Sequence, residues 1–316
     1  MMEPVMSQTR EGELARYAVR VEIHPFQSLT LSDEQFLTGA ADAGTPTTLA
    51  GQLRIAQAGT ERLPTVILMH GSGGLAAYIE FWQRELNALG LSTFAIDGFT
   101  GRGLTVVNTN QAALGRTNLI LDIYRALEVL AKHPRVDPQR VAIMGFSRGG
   151  QAALYASLQR FDALWNRSGI TPAAYLPVYP DCSITFVSDT DVANRPIRIL
   201  AGVADDYNPA APCAAYVERL TAAGRDVTLT VYPNAQHIFD NPIGPEMPTR
   251  TDAQTVRNCM IREEPVGRLI NARTGMPFTY ADPCVERGPH IGSDAAARAA
   301  ALQATADTLR AVFKLK

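Results

Sequence analysis

The sequence has no long apolar segment and little net charge. No apolar run approaches the roughly 20 residues that a helix needs to cross a bilayer, so the pattern predicts no membrane span. The formal net charge of −2 at pH 7 provides no excess of basic residues for binding nucleic acid or anionic lipid. Internal repeats are absent as well, which excludes a repeat architecture. These absences favour a globular protein that acts on a small molecule and leave its oligomeric state open.

Residues 1–17 lack the basic start and apolar stretch of a secretory leader, so we expect the chain as written to be cytoplasmic. It would be exported only if a leader had been trimmed. Cysteine is scarce, with four residues and no Cys-x-x-Cys spacing, which gives no zinc or redox motif. The four form sequence-local pairs, Cys182 with Cys213 and Cys259 with Cys284. Two disulfides would suit export and four buried thiols the cytoplasm; we favour disulfides, because the second pair would join a segment with little regular structure.

Strand-like and helix-like patterns alternate through most of the 316 residues, of which 46% are hydrophobic. This alternation predicts an α/β fold with a mostly parallel central sheet and helices on both faces. Residues 1–46 are expected to form an extension packed on the core, with a short strand at 18–23. The main domain is expected over 47–316, beginning with a strand at 47–57 on the outer edge of the sheet.

Residues 240–292 interrupt this alternation. They are rich in proline, glycine and charge and show no strong period. Because they come directly after a strand and a histidine, we predict a loop-rich, cap-like insertion that shapes a pocket. The alternative is a passive surface excursion.

The most informative motif is Gly145-Phe146-Ser147-Arg148-Gly149. It follows the β-branched run 141–144 and precedes a helix-like stretch, which predicts a strand, a sharp turn and a helix with serine at the apex. Glycines on either side relieve the crowding of such a turn. The pattern is that of the nucleophile elbow in the α/β-hydrolase fold, so Ser147 is the candidate nucleophile.

A serine nucleophile needs a base and a group that orients the base, in the chain order Ser, Asp or Glu, His. His237 lies just past the alternating run 227–232 and is the predicted base, whereas His290 is expected on a surface loop. Asp205 is the predicted acid and Asp206 the second choice, because both follow the probable strand 197–202. A helix cap or a solvated loop is the other interpretation of this pair. No further ligands at a suitable spacing suggest a metal, and no cofactor is expected.

The oxyanion that forms during acyl transfer needs hydrogen-bond donors. The apolar strand 64–69 runs into His70-Gly71-Ser72-Gly73-Gly74, whose glycines free backbone N–H groups to point at developing charge. We predict the N–H groups of Ser72 and Arg148 as donors, with Gly73 as the rival of Ser72. His70 precedes the nucleophile and is expected to be structural.

At these residues the chain resembles the dienelactone-hydrolase-like branch of the serine α/β-hydrolases. The likeness runs from about residue 47 to 240 and includes the last helix. In the family's Gly-x-x-Asp pattern the acid falls on Asp205. The family's namesakes use a cysteine nucleophile, whereas this sequence has Ser147, which points to a general ester or lactone rather than dienelactone itself. The segments that carry the resemblance are 68–74, 97–103, 133–138, 144–150, 202–206 and 232–237.

The sequence thus predicts a serine hydrolase that cleaves carboxylic esters or lactones through an acyl-enzyme. A peptidase or amidase on the same fold is the alternative, followed by a non-catalytic binding protein. Asp97 and Arg102 are expected to form a structural ion pair. The Arg148 side chain either binds an acidic substrate or lies buried in an ion pair. Phe81, Trp82 and Phe99 hint at an apolar pocket, although aromatic residues on helix faces more often belong to a core.

Overall fold

The computed structural model describes residues 18–265 and 267–315. The part of the predicted N-terminal extension that spans residues 1–17 lies outside the described residues. Nine strands precede the insertion: β1 (Arg20–Thr30), β2 (Thr45–Ile55), β3 (Leu63–Met69), β4 (Ser92–Asp97), β5 (Val136–Phe146), β6 (Tyr175–Val178), β7 (Ile184–Thr185), β8 (Ile197–Gly202) and β9 (Val227–Tyr232). The α-helices of the described part are α1 (Asp33–Thr38), α2 (Ala77–Ala88), α3 (Asn118–Lys132), α4 (Arg148–Tyr155), α5 (Gln159–Trp165), α6 (Ala210–Ala222) and α7 (Ala295–Phe313).

Eight strands form the central sheet in the order β1-β2-β4-β3-β5-β6-β8-β9. In this order the last six strands, β4-β3-β5-β6-β8-β9, pair in parallel. Strand β2 pairs antiparallel with both β1 and β4. The strand predicted at 47–57 therefore lies inside the sheet rather than at its edge. An 11-residue ladder with β1 covers it, from Arg20 opposite Ile55 to Thr30 opposite Thr45.

Two hydrophobic cores, one on each face, fix the orientation of the sheet. Along β3, Ile67 and Met69 belong to one core, whereas Val66 and Leu68 belong to the other. Helix α3 packs into the first core, and α2 and α7 pack into the second. Because both faces are covered, every residue of β3 is buried, as expected for a central parallel strand. The predicted α/β fold with helices on both faces is confirmed.

The insertion contains short paired strands, which the sequence pattern did not predict. They are β10 (Thr249–Arg250), β11 (Gln254–Thr255), β12 (Ile261–Glu264), β13 (Arg268–Asn271), β14 (Glu286–Arg287) and β15 (His290–Ile291). Strand β10 pairs with β15, β11 with β14, and β12 with both β13 and β7. Pairs of two to four residues are too short to produce a detectable period.

Two disulfides are present, Cys182–Cys213 and Cys259–Cys284, as the spacing predicts. The first joins the loop after β6 to α6, and the second closes the insertion. In the described part of the chain, no helix has both the length and the apolar character to cross a membrane.

Three local predictions were wrong. The sequence Asn208-Pro209 predicts an N-cap followed by a first helical residue, but helix α6 begins at Ala210 with Pro209 at its N-cap, because the Asn208 side chain donates to the Tyr179 carbonyl. For the last helix the sequence predicts Ser293 as N-cap, but helix α7 is capped by Asp294, which accepts from the Ala297 N–H.

The third concerns Asp97 and Arg102, which do not pair. Asp97 accepts from the N–H groups of Phe99 and Thr100, so its carboxylate is used within its own turn. Arg102 instead forms a buried, two-pronged pair with Asp122 on α3, at 2.6 and 2.9 Å.

Candidate active site

Ser147 sits at a sharp turn between β5 and α4. Its backbone has φ 55° and ψ −117°, outside the regions that serine normally adopts. The turn is tight because a Cβ on Gly145 would lie 2.0 Å from the Gly149 carbonyl oxygen. A Cβ on Gly149 would lie 2.2 Å from the Met69 carbonyl oxygen, at the end of β3. Glycine is therefore required at both positions, and the strained serine is held against the neighbouring strand.

The structure brings three predicted residues into one hydrogen-bonded chain. His237 Nε2 lies 2.9 Å from Ser147 Oγ, and His237 Nδ1 lies 2.8 Å from Asp205 Oδ2. The other Asp205 oxygen accepts from the N–H groups of Tyr207 and Asn208 at 2.9 and 2.8 Å. Because a carboxylate only accepts, Nδ1 carries the proton, and Nε2 is left to accept from the serine hydroxyl.

Asp206, the second choice for the acid, faces away from His237. Its carboxylate accepts from the backbone N–H and ring Nδ1 of His290 and from Arg257. Burial raises the pKa of Asp206, but the hydrogen bonds and charges of these two partners outweigh it and lower the pKa. His290, predicted on a surface loop, lies in β15 with its side chain 42% exposed.

Two tyrosines enclose the His237 ring, which is 2% exposed. The ring centroids of Tyr179 and Tyr207 lie 4.7 and 4.5 Å from that of His237. Tyr179 donates its hydroxyl to Asp240 Oδ1 at 2.7 Å, and Trp82 donates Nε1–H to Asp240 Oδ2 at 2.7 Å. Burial raises the pKa of the Asp240 carboxyl, against the lowering effect of these two donors. A buried carboxyl thus fixes one of the two rings that position the histidine.

Backbone strain is concentrated at this point. Ile238, the residue after His237, has φ 62°, and Tyr179 has φ 37°. Positive φ is costly for a β-branched residue and persists only where the surrounding structure enforces it. The strained residues Ser147, Tyr179 and Ile238 all line the same cavity.

The loop after β3 lies against the elbow. A Cβ on Gly71 would come within 3.0 Å of the Phe146 carbonyl oxygen. The Gly71 N–H donates to the Tyr78 hydroxyl, and the Ser72 carbonyl accepts from the Val107 N–H. Within the described residues, the N–H groups of Ser72, Gly73 and Arg148 have no acceptor. The chain therefore presents unpaired backbone donors on both sides of Ser147, including both that the sequence predicts.

His70 lies beneath this loop and is fully buried. Its Nδ1 donates to the Gly71 carbonyl at 2.8 Å, and its Nε2 accepts from the Gly98 N–H at 3.1 Å. Burial lowers the pKa of His70, so the ring stays neutral. The structure places it in the backbone-bonding position expected from its sequence order.

The Arg148 side chain adopts neither of the two predicted arrangements in full. It is buried, but in the described part of the chain no carboxylate pairs with it. Its guanidinium donates to the carbonyl oxygens of Gln111 and Leu114 and to Gln111 Oε1. A positive charge is thus held beside the nucleophile by neutral acceptors.

Two cavities meet at Ser147. The larger, of about 310 Å³, is lined by His237 and by apolar side chains, among them Val106, Phe146 and Ile291. The smaller, of about 30 Å³, is polar and is lined by Arg148, Arg116, Asp181, Gln111 and Tyr280. The insertion supplies residues to both cavities, as Ile291 and Tyr280 illustrate.

Of the two interpretations of Phe81, Trp82 and Phe99, the structure favours core packing, since none of the three lines either cavity. Trp82 and Phe99 are core residues, and Phe81 packs partly buried against the core. Two aromatic residues that line the larger cavity and enclose His237, Tyr179 and Tyr207, were missed by sequence reasoning. Both lie in loops that follow strands, where no periodic signal separates a pocket residue from a core residue.

One group of potential metal ligands exists among the described residues: Glu22, His24 and His133, whose donor atoms lie within 4.8 Å of one another. Both histidine Nε2 atoms face the Glu22 carboxylate, at 2.9 and 3.1 Å. His133 Nδ1 accepts from the Arg135 N–H, which places the proton on Nε2. A ligating histidine normally donates its second ring N–H, so this hydrogen bond opposes metal binding through Nε2.

Comparison with known proteins agrees with this architecture. No curated protein matches the chain. Among solved structures, the dienelactone hydrolase-like promiscuous phosphotriesterase P91 from metagenomic libraries is 17% identical, with a TM-score of 0.58 over 92% of this chain and 98% of that chain. A structure named m3DLH is 18% identical, with a TM-score of 0.54 and the same coverage. At these identities the likeness concerns the fold.

The family model provides the assignment. The model of the dienelactone hydrolase family matches residues 53–313, a range that includes every strand of the central sheet after β1 and β2 and all three residues of the Ser147–His237–Asp205 chain. The departure noted in the sequence, a serine in the nucleophile position, holds within this match. The chain therefore belongs to the dienelactone hydrolase family, and with it to the enzymes that hydrolyse carboxylic esters and lactones.

Proposed function

We propose that the chain hydrolyses its ester or lactone in two steps, with Ser147 as nucleophile, His237 as general base and Asp205 as the group that orients the base. His237 takes the Ser147 proton as Oγ attacks the carbonyl carbon, and then gives it to the leaving alcohol. Water activated by His237 next cleaves the acyl-enzyme and regenerates the serine. The hydrogen-bonded chain of 2.9 and 2.8 Å is the observation that carries this proposal.

The N–H groups of Ser72 and Arg148 stabilise the oxyanion in this mechanism. Their lack of any acceptor in the described structure supports this role, because a donor already engaged could not serve the transition state without losing its partner. The Arg148 N–H also begins α4, so the positive end of the helix dipole adds to it. Removing one such donor costs on the order of 3 kcal/mol in the barrier.

The insertion acts as a cap over the reacting atoms in this proposal. Residues 251–253 and Ile291 line the larger cavity, and 254–256 and Tyr280 line the smaller one. A bridge between His237 and Ile291 ties the cap to the base. By excluding water from the sides of the site, such a cover strengthens the electrostatic interactions within it.

The two disulfides support a proposal about the compartment in which the protein works. Structural disulfides persist in oxidising surroundings and are rare in the cytosol, so we place the working protein outside the reducing cytosol.

Hydrolysis of p-nitrophenyl acetate by wild type, Ser147→Ala and Asp205→Asn tests the mechanism. Both variants are expected to lower kcat by about 10⁴-fold or more. Ser157→Ala is the matched control and should keep full activity, because the hydroxyl of this buried serine donates only to the Leu154 carbonyl. Paraoxon should phosphorylate wild type once per chain and leave Ser147→Ala unmodified by mass spectrometry. A Ser147→Ala variant with unchanged turnover would rule out the assignment, and faster turnover of the matched p-nitroanilide would favour the amidase alternative.

A further inference from the structure

The two cavities at Ser147 differ about tenfold in volume, and two arginines, Arg116 and Arg148, line only the smaller one. Building on the proposed function, we propose that the substrate joins a short, polar acyl group of two or three carbons to a bulky, apolar alcohol. The small cavity holds the acyl chain and the large one holds the alcohol. Each part of this assignment follows from the position of His237 and from the residues of the walls.

The position of the base decides which cavity receives which half of the ester. The leaving alcohol oxygen must lie within hydrogen-bond reach of His237 Nε2, which returns the proton to it. His237 and its neighbour Ile238 line the large cavity and not the small one. The alcohol therefore leaves through the large cavity. The acyl chain, on the remaining side of the tetrahedral carbon, points into the small cavity.

Volume limits the acyl chain. About 30 Å³ holds roughly two groups the size of a water molecule. Beyond the carbonyl group, acetyl places one non-hydrogen atom in this space and glycolyl and propionyl place two, whereas butyryl places three. The wall is not free to move, because the Tyr280 hydroxyl bonds Arg116 at 2.9 Å and Arg116 in turn pairs with Asp181.

The charged and polar groups of the small cavity determine which of the short acyl chains binds best. The Asp181 carboxylate balances Arg116, so the positive charge of Arg148 is uncompensated in this cavity. Arg148 Nε and Arg116 Nε are both buried without a hydrogen-bond partner in the described structure. An unsatisfied buried donor is costly, and a substrate oxygen would satisfy it. The cavity therefore favours a hydroxyl on the acyl chain, as in glycolyl, over the methyl of propionyl.

The large cavity, in contrast, is lined mainly by apolar surface. Val106, Phe146, Ile238 and Ile291 give it apolar walls, and about 310 Å³ accommodates a fused aromatic ring. Apolar surface buried there favours a bulky alcohol in proportion to its area.

Steady-state kinetics on 1-naphthyl esters tests the acyl side. Because one surplus methylene is worth about 10-fold or more, kcat/KM should fall at least 10-fold from propionate to butyrate. The glycolate ester, equal in size to the propionate, should exceed it at least 10-fold. Butyrate or hexanoate esters turned over as fast as propionate, or propionate faster than glycolate, would overturn the inference. Loss of all ester hydrolysis would instead contradict the proposed function, so the two failures are distinguishable.

The alcohol side is tested with acetates of alcohols of similar acidity. 2-(1-Naphthyl)ethyl acetate should exceed ethyl acetate in kcat/KM at least 10-fold, and equal values would refute the assignment of the large cavity.

Val256→Ala and Tyr280→Val each shorten a side chain in the small cavity and should raise the butyrate-to-propionate ratio of kcat/KM at least 5-fold. Val106→Ala, in the large cavity, is the control and should leave that ratio unchanged. Two enlarging variants keep the test decisive if one of them fails to fold, and an unchanged ratio in a folded one would refute the assignment.

Discussion

Asp240 shows how a residue outside the reacting group can determine the shape of the site. It lies three positions after His237, is inaccessible to solvent, and holds both Trp82 and Tyr179 by their polar hydrogens. Tyr179 in turn packs on the His237 ring. The carboxyl thus joins helix α2 to the loop after β6 beneath the base.

Replacing Asp240 by asparagine should reveal the charge of this carboxyl. Burial raises its pKa in the folded protein, so its contribution to stability is complete at low pH and declines as pH rises through the folded pKa. Asparagine mimics the neutral carboxyl, accepting from Trp82 and donating to the Tyr179 oxygen. Urea unfolding from pH 4 to 8 should therefore give Asp240→Asn within about 1 kcal/mol of wild type at pH 4 and relatively more stable at pH 8. A constant difference across this range would contradict the buried titration.

Among individual residues, the sequence identified the candidate catalytic side chains but missed the side chains that hold them in position. Ser147, Asp205 and His237 each follow a recognisable strand. Because the carboxyl ends of parallel strands lie at the same edge of a sheet, the proximity of these residues was predictable. Gln111, Tyr207 and Asp240 contribute through side chains that reach in from loops. No local pattern marks such contacts, because they depend on how distant loops pack. The catalytic roles themselves stay predictions until the variants are measured.

The insertion is the element that distinguishes this chain from a bare hydrolase core. Its strands contain only two to four residues, and the Cys259–Cys284 bond closes a segment with few long hydrogen-bonded ladders. Sequence predicted its position and its cap-like role but not its strands. The starts of α6 and α7 were each missed by one position for a related reason, since neighbouring residues could each act as the cap and tertiary contacts determined which one does.

Removing the Cys259–Cys284 bond should destabilise the protein. The bond spans 25 positions, and closing a loop of that length contributes about 3 kcal/mol by restricting the unfolded chain. Cys259→Ala with Cys284→Ala is expected to lower the free energy of unfolding by that amount in urea titrations. Cys182→Ala with Cys213→Ala, across a similar span of 31, is the matched comparison.

Thiol titration of the unfolded wild type should give no free thiol before reduction and four after it. Four thiols without reductant, in protein purified from an oxidising compartment, would contradict both bonds.

At the scale of the molecule, stability should depend on pH through its buried groups. Burial lowers the pKa of His70 from 6.5, so the unfolded chain takes up a proton before the folded one does. The contribution of this neutral ring is complete above 6.5 and is lost as pH falls. A hydrogen bond from Arg54 lowers the pKa of Glu80, which adds a loss below 4.5.

The free energy of unfolding should therefore decline between pH 7 and pH 5, by up to about 1.4 kcal/mol per pH unit for the one proton on His70. His70→Asn keeps a donor near the Gly71 carbonyl but cannot titrate, so its decline over this range should be smaller. Urea midpoints at pH 8, 7, 6 and 5 measure the difference. Parallel curves for the two proteins would show that His70 does not control the slope.

The overall fold was the most predictable property. Alternating strands and helices allow few topologies, and the two-sided burial of β3 and β5 is already visible in their apolar runs. The exception is β1, whose polar outer face and proline gave a weak signal for only part of an 11-residue strand. Its pairing with β2 depends on partners 15 to 35 residues away in sequence, and the register was set by the full ladder rather than by the local pattern.

The central sheet carries the candidate catalytic residues and the insertion carries part of the cavity walls, which has a consequence for engineering. Ser147, Asp205 and His237 lie on loops at the ends of the central strands, whereas residues between 251 and 291 supply part of the wall of both cavities. A mutant library confined to the lining residues of that segment, and sparing its buried core residues Cys259, Ile261 and Leu269, should explore new ester preferences while leaving the chemistry in place.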